Sequence, residues 1–272
     1  MKEIAGGVCA PQGFSAGGIR CGIKASSQKR DLGLIYSERP CAAAALFTSN
    51  RVKAASVLVS REHLASGRLR ALIANSGNAN ACTGEPGLTA ARRMAELAAA
   101  KLSRPGDELM PADVAVASTG VIGVPLPMPA IEGGMDSLAA SLRGDEAGHA
   151  AALEAIMTTD TRKKDGALEF ELGGVPVRIG GMVKGSGMIH PNMATMLCFI
   201  TTDAALSPPV LDLALRRAVN RSFNRVTVDG DMSTNDTIIL MANGAAGNRP
   251  LEDGGPGYET FAAALERLCV KL

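Results

Sequence analysis

The residues with the clearest chemical potential lie in one short segment, GGMVKGSGMIHPNMATMLCFITTDA, at positions 180–204. This segment holds closely spaced glycines, a single lysine (Lys184) and a threonine (Thr195) directly before an apolar run. A lysine can bind an anionic group, and a threonine hydroxyl can attack a carbonyl carbon once a base takes its proton. By composition alone, however, a threonine at the start of a strand is more often a structural β-former, and a lone lysine is more often a solvated surface residue.

Several other kinds of site are disfavoured by spacing. The segment matches neither the phosphate-binding pattern GxxxxGK[ST] nor the dinucleotide pattern GxGxxG. The acid-rich run VDGDMSTND, at positions 228–236, lacks the spacing and the closing glutamate of an EF-hand, so we interpret it as a turn that positions the sheet near the site. The three histidines have no metal-ligand spacing, and we interpret His190 as structural rather than as a general base. We expect no metal and no organic cofactor.

Composition narrows the class of protein. Lys plus Arg (28) nearly balances Asp plus Glu (27), so no overall field favours nucleic acid or an anionic membrane. Aromatic residues make up only 3% and tryptophan is absent, which removes the usual platforms for base stacking. Neither a signal peptide nor a membrane span is predicted. Six scattered cysteines without a CxxC pair indicate reduced thiols, and we expect a cytoplasmic enzyme.

The elements that must position these residues follow from periodicity. Short apolar runs in the first eighty residues predict buried strands, among them LGLIYS, AAAALFTSN, SVLVS and ALIANSGNAN. A helix is predicted from Leu88 to Ser103, with Thr89 as its cap. The run ADVAVAS, at 112–118, predicts a central strand that leads into a loop, TGVIGVP.

The second half shows the same mixture. We expect a helical region within 135–157 that breaks near Gly144, and a hairpin over 168–181 that turns at Gly173 and Gly174. Further strands are predicted at MLCFITT, RVTVD and TIILMAN, and a helix follows Ser207. The last helix presents an apolar stripe up to Leu272 with no cap, which suggests a C-terminally truncated chain. The pattern favours an α/β (α+β) layered sandwich with central mixed β-sheets flanked by helices.

Motifs throughout the chain resemble one family. The run KGSGMIHPNMATML closely resembles the cleavage-site signature of the ornithine acetyltransferase (glutamate N-acetyltransferase) family of arginine biosynthesis. Its opening blocks are similar to GFSAGGIRCGIK, RDLGLIYSERPCAAAALFTSNRVKAASV and ANSGNANACTG, and its later blocks to ASTGVIG, IMTTDTRKK and VDGDMSTNDT. The resemblance spans nearly all 272 residues, and several blocks are individually specific.

The resemblance implies a self-cleaving precursor. Members of the family cut themselves before the threonine of an Ala-Thr pair, here Ala194 and Thr195, which would give an α chain of residues 1–194 and a β chain that starts at 195. The new α-amine of Thr195 would have a pKa of roughly 7.7 to 8.0 and could accept the proton of the hydroxyl. The family's continuation, with further substrate-binding residues, is not found before Leu272.

Other residue roles also come from the resemblance. It implies that Thr119 and Gly120 stabilise the oxyanion of the tetrahedral intermediate, and that Thr158 and Lys184 contact the substrate together with Thr195. The implied reaction moves acetyl from N2-acetylornithine to glutamate through an acetyl-threonine, in an α2β2 assembly with a fold like that of the related N-terminal-nucleophile aminopeptidases. Whether acetyl-CoA also serves as a donor stays open. The alternatives are an amidase or aminopeptidase of that fold, or a truncated chain without catalytic activity.

Overall fold

The computed structural model describes residues 1–25, 27–187 and 196–272. Three residues singled out from the sequence, His190, Ala194 and Thr195, lie outside the described ranges. The described strands are β1 (Lys2–Ile4), β2 (Phe14–Ile19), β3 (Leu32–Phe47), β4 (Arg68–Asn78), β5 (Val114–Val121), β6 (Lys164–Leu172), β7 (Val175–Lys184), β8 (Leu197–Thr202) and β9 (Thr237–Ala242). The described helices are α1 (Ala55–His63), α2 (Gly84–Leu102), α3 (Met128–Ala140), α4 (Glu146–Ile156), α5 (Pro208–Arg221) and α6 (Pro256–Lys271).

The strands form a single mixed sheet. Its order is β1-β6-β7-β8-β9-β3-β4-β5, and β2 pairs with the first half of β3. The pairs β8–β9 and β4–β5 are parallel, and the other pairs are antiparallel. The long strand β3 shifts register between Tyr36 and Cys41, so that its first half pairs with β2 and its second half with β9.

The sheet packs against itself through alternate side chains. In β8, Leu197 and Phe199 belong to a core that also contains Leu72 and Ala74 of β4, from the other half of the sheet. Their neighbour Cys198 points the opposite way, into a core formed with α5 and α6. This period of two is what a strand buried on both faces requires. The inner core also takes Leu153 and other residues of α4.

Two helical layers cover the outer faces. Helices α5 and α6 pack on the half of the sheet that contains β6 to β9. Helices α1, α2 and α3 pack on the half that contains β3, β4 and β5. The architecture is therefore helix, sheet, sheet, helix, which confirms the predicted layered sandwich with a mixed sheet flanked by helices. Among the described residues no helix is both long and apolar enough to cross a membrane.

Most predicted elements are confirmed. The hairpin forms between β6 and β7, and Gly173 (φ 59°) and Gly174 (φ 82°) make its turn, because both positions need a left-handed backbone. The helical region before 157 divides into α3 and α4, as the break near Gly144 predicts. The helix predicted from Leu88 begins earlier, at Gly84, so the prediction that Thr89 caps it is wrong.

Three other predictions are corrected. The run SVLVS lies in helix α1 rather than in a strand, because Ser60 bonds to both the N–H and the C=O of Val116 and packs the segment onto the sheet face. The run RVTVD forms no strand, and Val226 and Val228 are exposed. The residues Thr119 and Gly120 lie within β5, which ends at Val121, and pair with β4, so they do not belong to the loop that follows.

The apolar stripe of the last helix is packed within the chain. Four of its residues are buried against β6, β7 and α5, namely Tyr258, Phe261, Leu265 and Leu268. The sequence suggested that this apolar stripe lacked a packing partner, but the stripe is covered by residues of the same chain. Leu272 is partly buried and packs against the same core.

Candidate active site

Two residues predicted to belong to the site, one as an oxyanion donor and one as a substrate ligand, lie in contact near the ends of their strands. Lys184 is the last residue of β7, and its Nζ donates a hydrogen bond to Oγ1 of Thr119 on β5, at 2.9 Å. Both side chains are buried, with 4% exposure for Lys184 and 7% for Thr119. The sheet thus brings a cation and a hydroxyl from distant parts of the sequence into direct contact.

Gly120 occupies a position that excludes a side chain. Its φ is 137°, a region that other residues rarely adopt. A Cβ at this position would lie 2.3 Å from the carbonyl carbon of Gly77 on the paired strand β4. The close approach of the two backbones therefore depends on glycine, and it leaves Gly120 exposed at the end of β5.

A buried carboxylate organises the substrate-binding candidates. Asp160 accepts hydrogen bonds from the N–H of Thr158 at 3.2 Å, the N–H of Gly185 at 2.8 Å and Nζ of Lys164 at 2.7 Å. Burial raises the pKa of Asp160, but these hydrogen bonds outweigh it and the net shift is downward. Asp160 thus links the loop carrying Thr158 to the end of β7, where Lys184 lies.

The ammonium group of Lys184 is buried and has little contact with solvent. Burial lowers the pKa of its ammonium group, while the carboxyl groups of Asp160 and Asp236 oppose that shift. Among the described residues, its Nζ contacts the hydroxyl of Thr119 and forms no ion pair with a carboxylate. A carboxylate ligand in this position would gain a charge-assisted hydrogen bond.

A second buried acid lies beside the start of β8. Oδ1 of Asp236 accepts a hydrogen bond from the N–H of Met196 at 3.2 Å, and its Oδ2 meets no hydrogen-bond geometry with any described residue. Burial raises the pKa of Asp236 to about 7, although Ser233, Met196 and Lys184 act in the opposite direction. Met196 directly follows Thr195 in the chain, so this carboxyl group lies one peptide unit from the predicted nucleophile.

The acid-rich turn closes one side of the site. Nδ2 of Asn235 donates to the carbonyl oxygens of Ala79, at 2.6 Å, and Ser118, at 2.8 Å. These bonds fasten the turn to β5 immediately before Thr119. The turn therefore lies at the site, which supports its interpretation as a positioning element.

These elements enclose one cavity of about 600 Å³. Its wall contains all four described residues that the sequence analysis assigned to the site: Thr119, Gly120, Thr158 and Lys184. Lys24, Thr159, Asp229 and Asn235 also line it. A cavity of this volume can hold an amino acid derivative.

Sequence reasoning missed four residues that matter to this geometry. Asp160 lies inside the run TTDTRKK, and Asp236 and Asn235 lie inside the turn that we interpreted only as structural. Lys24 also went unnoticed as a lysine of the cavity wall. A motif shows which residue types are present, but burial and hydrogen bonding, which single out these residues, appear only in the folded chain.

Relatives and solved structures match the chain over most of its length. An "Arginine biosynthesis bifunctional protein ArgJ" from Symbiobacterium thermophilum is 52% identical over 273 residues, covering 100% of this chain and 66% of its own length. The protein of the same name from Geobacter sulfurreducens is 50% identical over 261 residues, covering 96% of this chain and 64% of its own length. The chain thus spans just under two thirds of these curated relatives.

The structural matches agree. The crystal structure of the Bacillus halodurans ArgJ protein is 42% identical, with a TM-score of 0.66, and covers 71% of this chain and 97% of its own. The ornithine acetyltransferase of Mycobacterium tuberculosis, solved in complex with ornithine, is 42% identical with a TM-score of 0.65 and covers 72% of this chain and 99% of its own.

More distant structures share the fold alone. A β-aminopeptidase from Burkholderia is 14% identical, with a TM-score of 0.56, and covers 100% of this chain and 88% of its own. The expected similarity to N-terminal-nucleophile aminopeptidases is thereby confirmed at the level of the fold. The ArgJ family model matches residues 15–272, and with relatives about half identical along the chain, this protein belongs to the ArgJ family.

Proposed function

We propose that this chain forms the catalytic part of an acetyltransferase of arginine biosynthesis, which moves acetyl from N2-acetylornithine to glutamate. Thr195 is the nucleophile, and it becomes the first residue of a β chain after self-cleavage between Ala194 and Thr195. The observation that carries the proposal is the contact between Lys184 and Thr119 in the cavity wall. It supplies a cation for a substrate carboxylate directly beside a candidate oxyanion residue.

The strand register supports the part assigned to Thr195. Leu197 pairs with Lys184 across β7 and β8, and Thr195 precedes Leu197 by two residues. The described residue Leu197, two positions after Thr195 in the sequence, therefore lies beside Lys184, the lysine of the cavity wall. The amide of Met196, bonded to Thr195, is held by Asp236.

The chemistry takes two balanced steps. The Thr195 oxygen attacks the acetyl carbonyl carbon of acetylornithine, its α-amine takes the hydroxyl proton, and the C–N bond breaks as ornithine leaves with that proton. The α-amine of glutamate then attacks the acetyl-threonine ester, the C–O bond breaks, and a proton returns to the Thr195 oxygen. Each step passes through an oxyanion, to which Thr119 and Gly120 are assigned as donors. Lys184 and Thr158 hold the amino acid.

The extent of the structural match supports the cleavage. The Mycobacterium tuberculosis chain is covered to 99% yet covers only 72% of this chain. Because 72% of 272 residues is about 196, that chain has nearly the length of residues 1–194 here. This is the length expected of an α chain that ends at Ala194. An α2β2 assembly in the cytoplasm belongs to the same proposal, and no cofactor is required for these steps.

One experiment tests the nucleophile and the cleavage together. Denaturing intact-mass analysis of the purified protein should give two fragments, divided between Ala194 and Thr195. The Thr195→Ala variant should give a single uncut chain. A cut at another bond, or a cut that survives the substitution, would contradict the assignment.

The alternatives are distinguished by product analysis. Incubation with acetylornithine and glutamate should give acetylglutamate and ornithine in equal amounts. An amidase or aminopeptidase would instead give free acetate whether or not glutamate is present, and a non-catalytic chain would release neither product. Adding acetyl-CoA in place of acetylornithine decides whether it also serves as a donor.

A further inference from the structure

Lys24 is a second lysine in the wall of the same cavity. Its loop is shaped by Asp31, which is fully buried and accepts hydrogen bonds from three backbone N–H groups. These come from Cys21 at 2.7 Å, Gly22 at 3.1 Å and Lys24 at 3.0 Å. The position of Lys24 is therefore built into the fold by a buried carboxylate.

The ammonium group of Lys24 forms no ion pair with a described residue. Its Nζ donates to the carbonyl oxygens of Arg30, at 3.0 Å, and Met157, at 2.8 Å. An ammonium group has three N–H donors, so these two bonds leave one for a ligand. Burial lowers its pKa, and the nearby carboxylates, Asp31 first among them, oppose that shift.

Lys24 lies one layer farther from the reacting centre than Lys184 does. A Cβ on Gly77 would lie 2.7 Å from Cγ of Lys24, and Gly77 in turn contacts Gly120. The Nζ of Lys24 also donates a hydrogen bond to the carbonyl oxygen of Met157, the residue before Thr158. Lys184, by contrast, touches Thr119 directly. The positive charge of Lys24 helps to lower the pKa of Lys184, so the two ammonium groups are near enough to repel each other.

The charge of the acceptor matches this arrangement. An amine attacks only in its neutral form, and glutamate with a neutral amine carries two carboxylates and a net charge of about −2 at neutral pH. Carboxylates are already near, since Asp229 and Asp231 line the cavity and Asp160 acts on both lysines. Neither Lys24 nor Lys184 forms an ion pair with a described residue, however, so each ammonium group can still pair with a carboxylate of a ligand. Acetylornithine brings one carboxylate and an ammonium group, so it can use only one of the two cations.

We propose that Lys24 binds the side-chain carboxylate of the acceptor amino acid, while Lys184 binds the carboxylate next to the reacting amine. The inference rests on the proposed function and specifies how the acceptor is selected. The assignment follows from distance: the α-carboxylate is close to the attacking nitrogen, as Lys184 is to Thr119. The side-chain carboxylate lies farther along the molecule, as Lys24 lies farther from Thr119.

The test compares two acceptors in the second step alone. The acetyl-enzyme is formed with acetylornithine, separated from small molecules, and mixed with glutamate or with glutamine, which has the same shape but no side-chain charge. Loss of acetyl is followed by intact mass. The parent should prefer glutamate, and Lys24→Met should reduce that preference about tenfold or more, since a hydrogen bond to a charged group is lost. Lys24→Arg should keep part of the preference.

The control is Lys29→Met, which removes an exposed lysine from the same loop and should leave the preference unchanged. The fraction of acetyl-enzyme is measured in every variant before the acceptor is added, so that the preference for glutamate over glutamine is compared at equal acetylation. An equal loss with glutamate and glutamine, or no loss with either, would overturn the role of Lys24.

A binding measurement separates this inference from the proposed function. Glutamate should raise the Tm of the parent more than glutamine does, and Lys24→Met should abolish the difference. If the parent forms no acetyl-enzyme, the proposed function fails, whereas the Tm comparison still tests the carboxylate site. If the acetyl-enzyme forms but Lys24→Met keeps the full preference for glutamate in both assays, only the role of Lys24 fails.

Discussion

Oδ1 of Asp236 accepts a hydrogen bond from the N–H of Met196 at 3.2 Å, while Oδ2 of the same buried carboxyl group meets no hydrogen-bond geometry with any described residue. This acid thus accepts a hydrogen bond from the N–H of the residue that follows Thr195 in the sequence, and one of its two oxygens has no hydrogen-bond partner among the described residues. Burial keeps its pKa high, at about 7, compared with an ordinary value of 3.8. The site therefore contains a carboxyl group that titrates near neutral pH.

The raised pKa of Asp236 makes stability depend on pH in a defined direction. Between pH 4 and 7 the folded state binds a proton that the unfolded state has lost, so this group lowers the free energy of unfolding as the pH rises. Asp236→Asn removes the cost of holding a charged carboxylate in this buried place, and above pH 7 this should raise the free energy of unfolding by at most about 4 kcal/mol. The Tm of the variant minus the Tm of the parent should therefore be larger at pH 8 than at pH 5. A difference independent of pH would contradict the raised pKa.

Gly120 should not tolerate a side chain. Gly120→Ala adds a Cβ 2.3 Å from the carbonyl carbon of Gly77 and forces alanine to a φ of 137°, so we expect a loss of roughly 2 to 4 kcal/mol of stability together with activity. The matched control is Gly123→Ala, where φ is also positive (81°) but no atom lies within 4 Å of the new Cβ. Denaturant unfolding of both variants should show the smaller loss at Gly123. Equal losses would mean that backbone conformation, rather than the contact with Gly77, decides the position.

Asp160 should matter for both folding and substrate binding. Asp160→Asn removes the charge opposite Lys164 and weakens the bonds from Thr158 and Gly185, and we expect a loss of roughly 2 to 4 kcal/mol at neutral pH. Because the folded pKa of Asp160 is depressed, its contribution is present above its ordinary pKa and is lost as the pH falls through the folded value.

A double-mutant cycle isolates the ion pair that Asp160 makes. Lys164→Met, alone and combined with Asp160→Asn, should give a double variant less destabilised than the sum of the single ones. Strict additivity, measured by urea unfolding, would show that Lys164 contributes nothing to the role of Asp160. The KM for acetylornithine should rise in Asp160→Asn, since Thr158 and Lys184 lose a common support.

The hydroxyl of Thr119 should be needed for rate more than for folding. Thr119→Val keeps the shape of the side chain but removes the acceptor of the hydrogen bond from Lys184, and loss of an oxyanion donor typically costs about a hundredfold to a thousandfold in kcat. Thr119→Ser keeps the hydroxyl and should retain activity within about tenfold of the parent. The comparison is made by kcat for acetyl transfer, with unfolding curves to show that both variants are folded. Full activity in Thr119→Val would leave the backbone as the sole candidate donor at this position.

Much of the architecture followed from local pattern. The paired glycines at 173 and 174 predicted the β6–β7 hairpin, because a two-residue turn with positive φ at both positions leaves few other choices. The apolar run at 196–202 likewise predicted β8. Local pattern misled at SVLVS, where β-branched residues suggested a strand, because tertiary packing onto Val116 outweighs a weak intrinsic preference.

The sequence by itself determined the family and the layered fold class, and it named four described residues as candidates for the site, since specific motifs need no coordinates. Only the tertiary structure decided which of them touch. Lys184 and Thr119 are 65 residues apart, and Asp236 meets Met196 across 40. Such pairs depend on strand order and register, and these are decided by many weak packing interactions along the whole chain. The same holds for Asp160, Asp236 and Lys24, whose chemistry comes from burial, and burial is a property of the folded chain rather than of any motif.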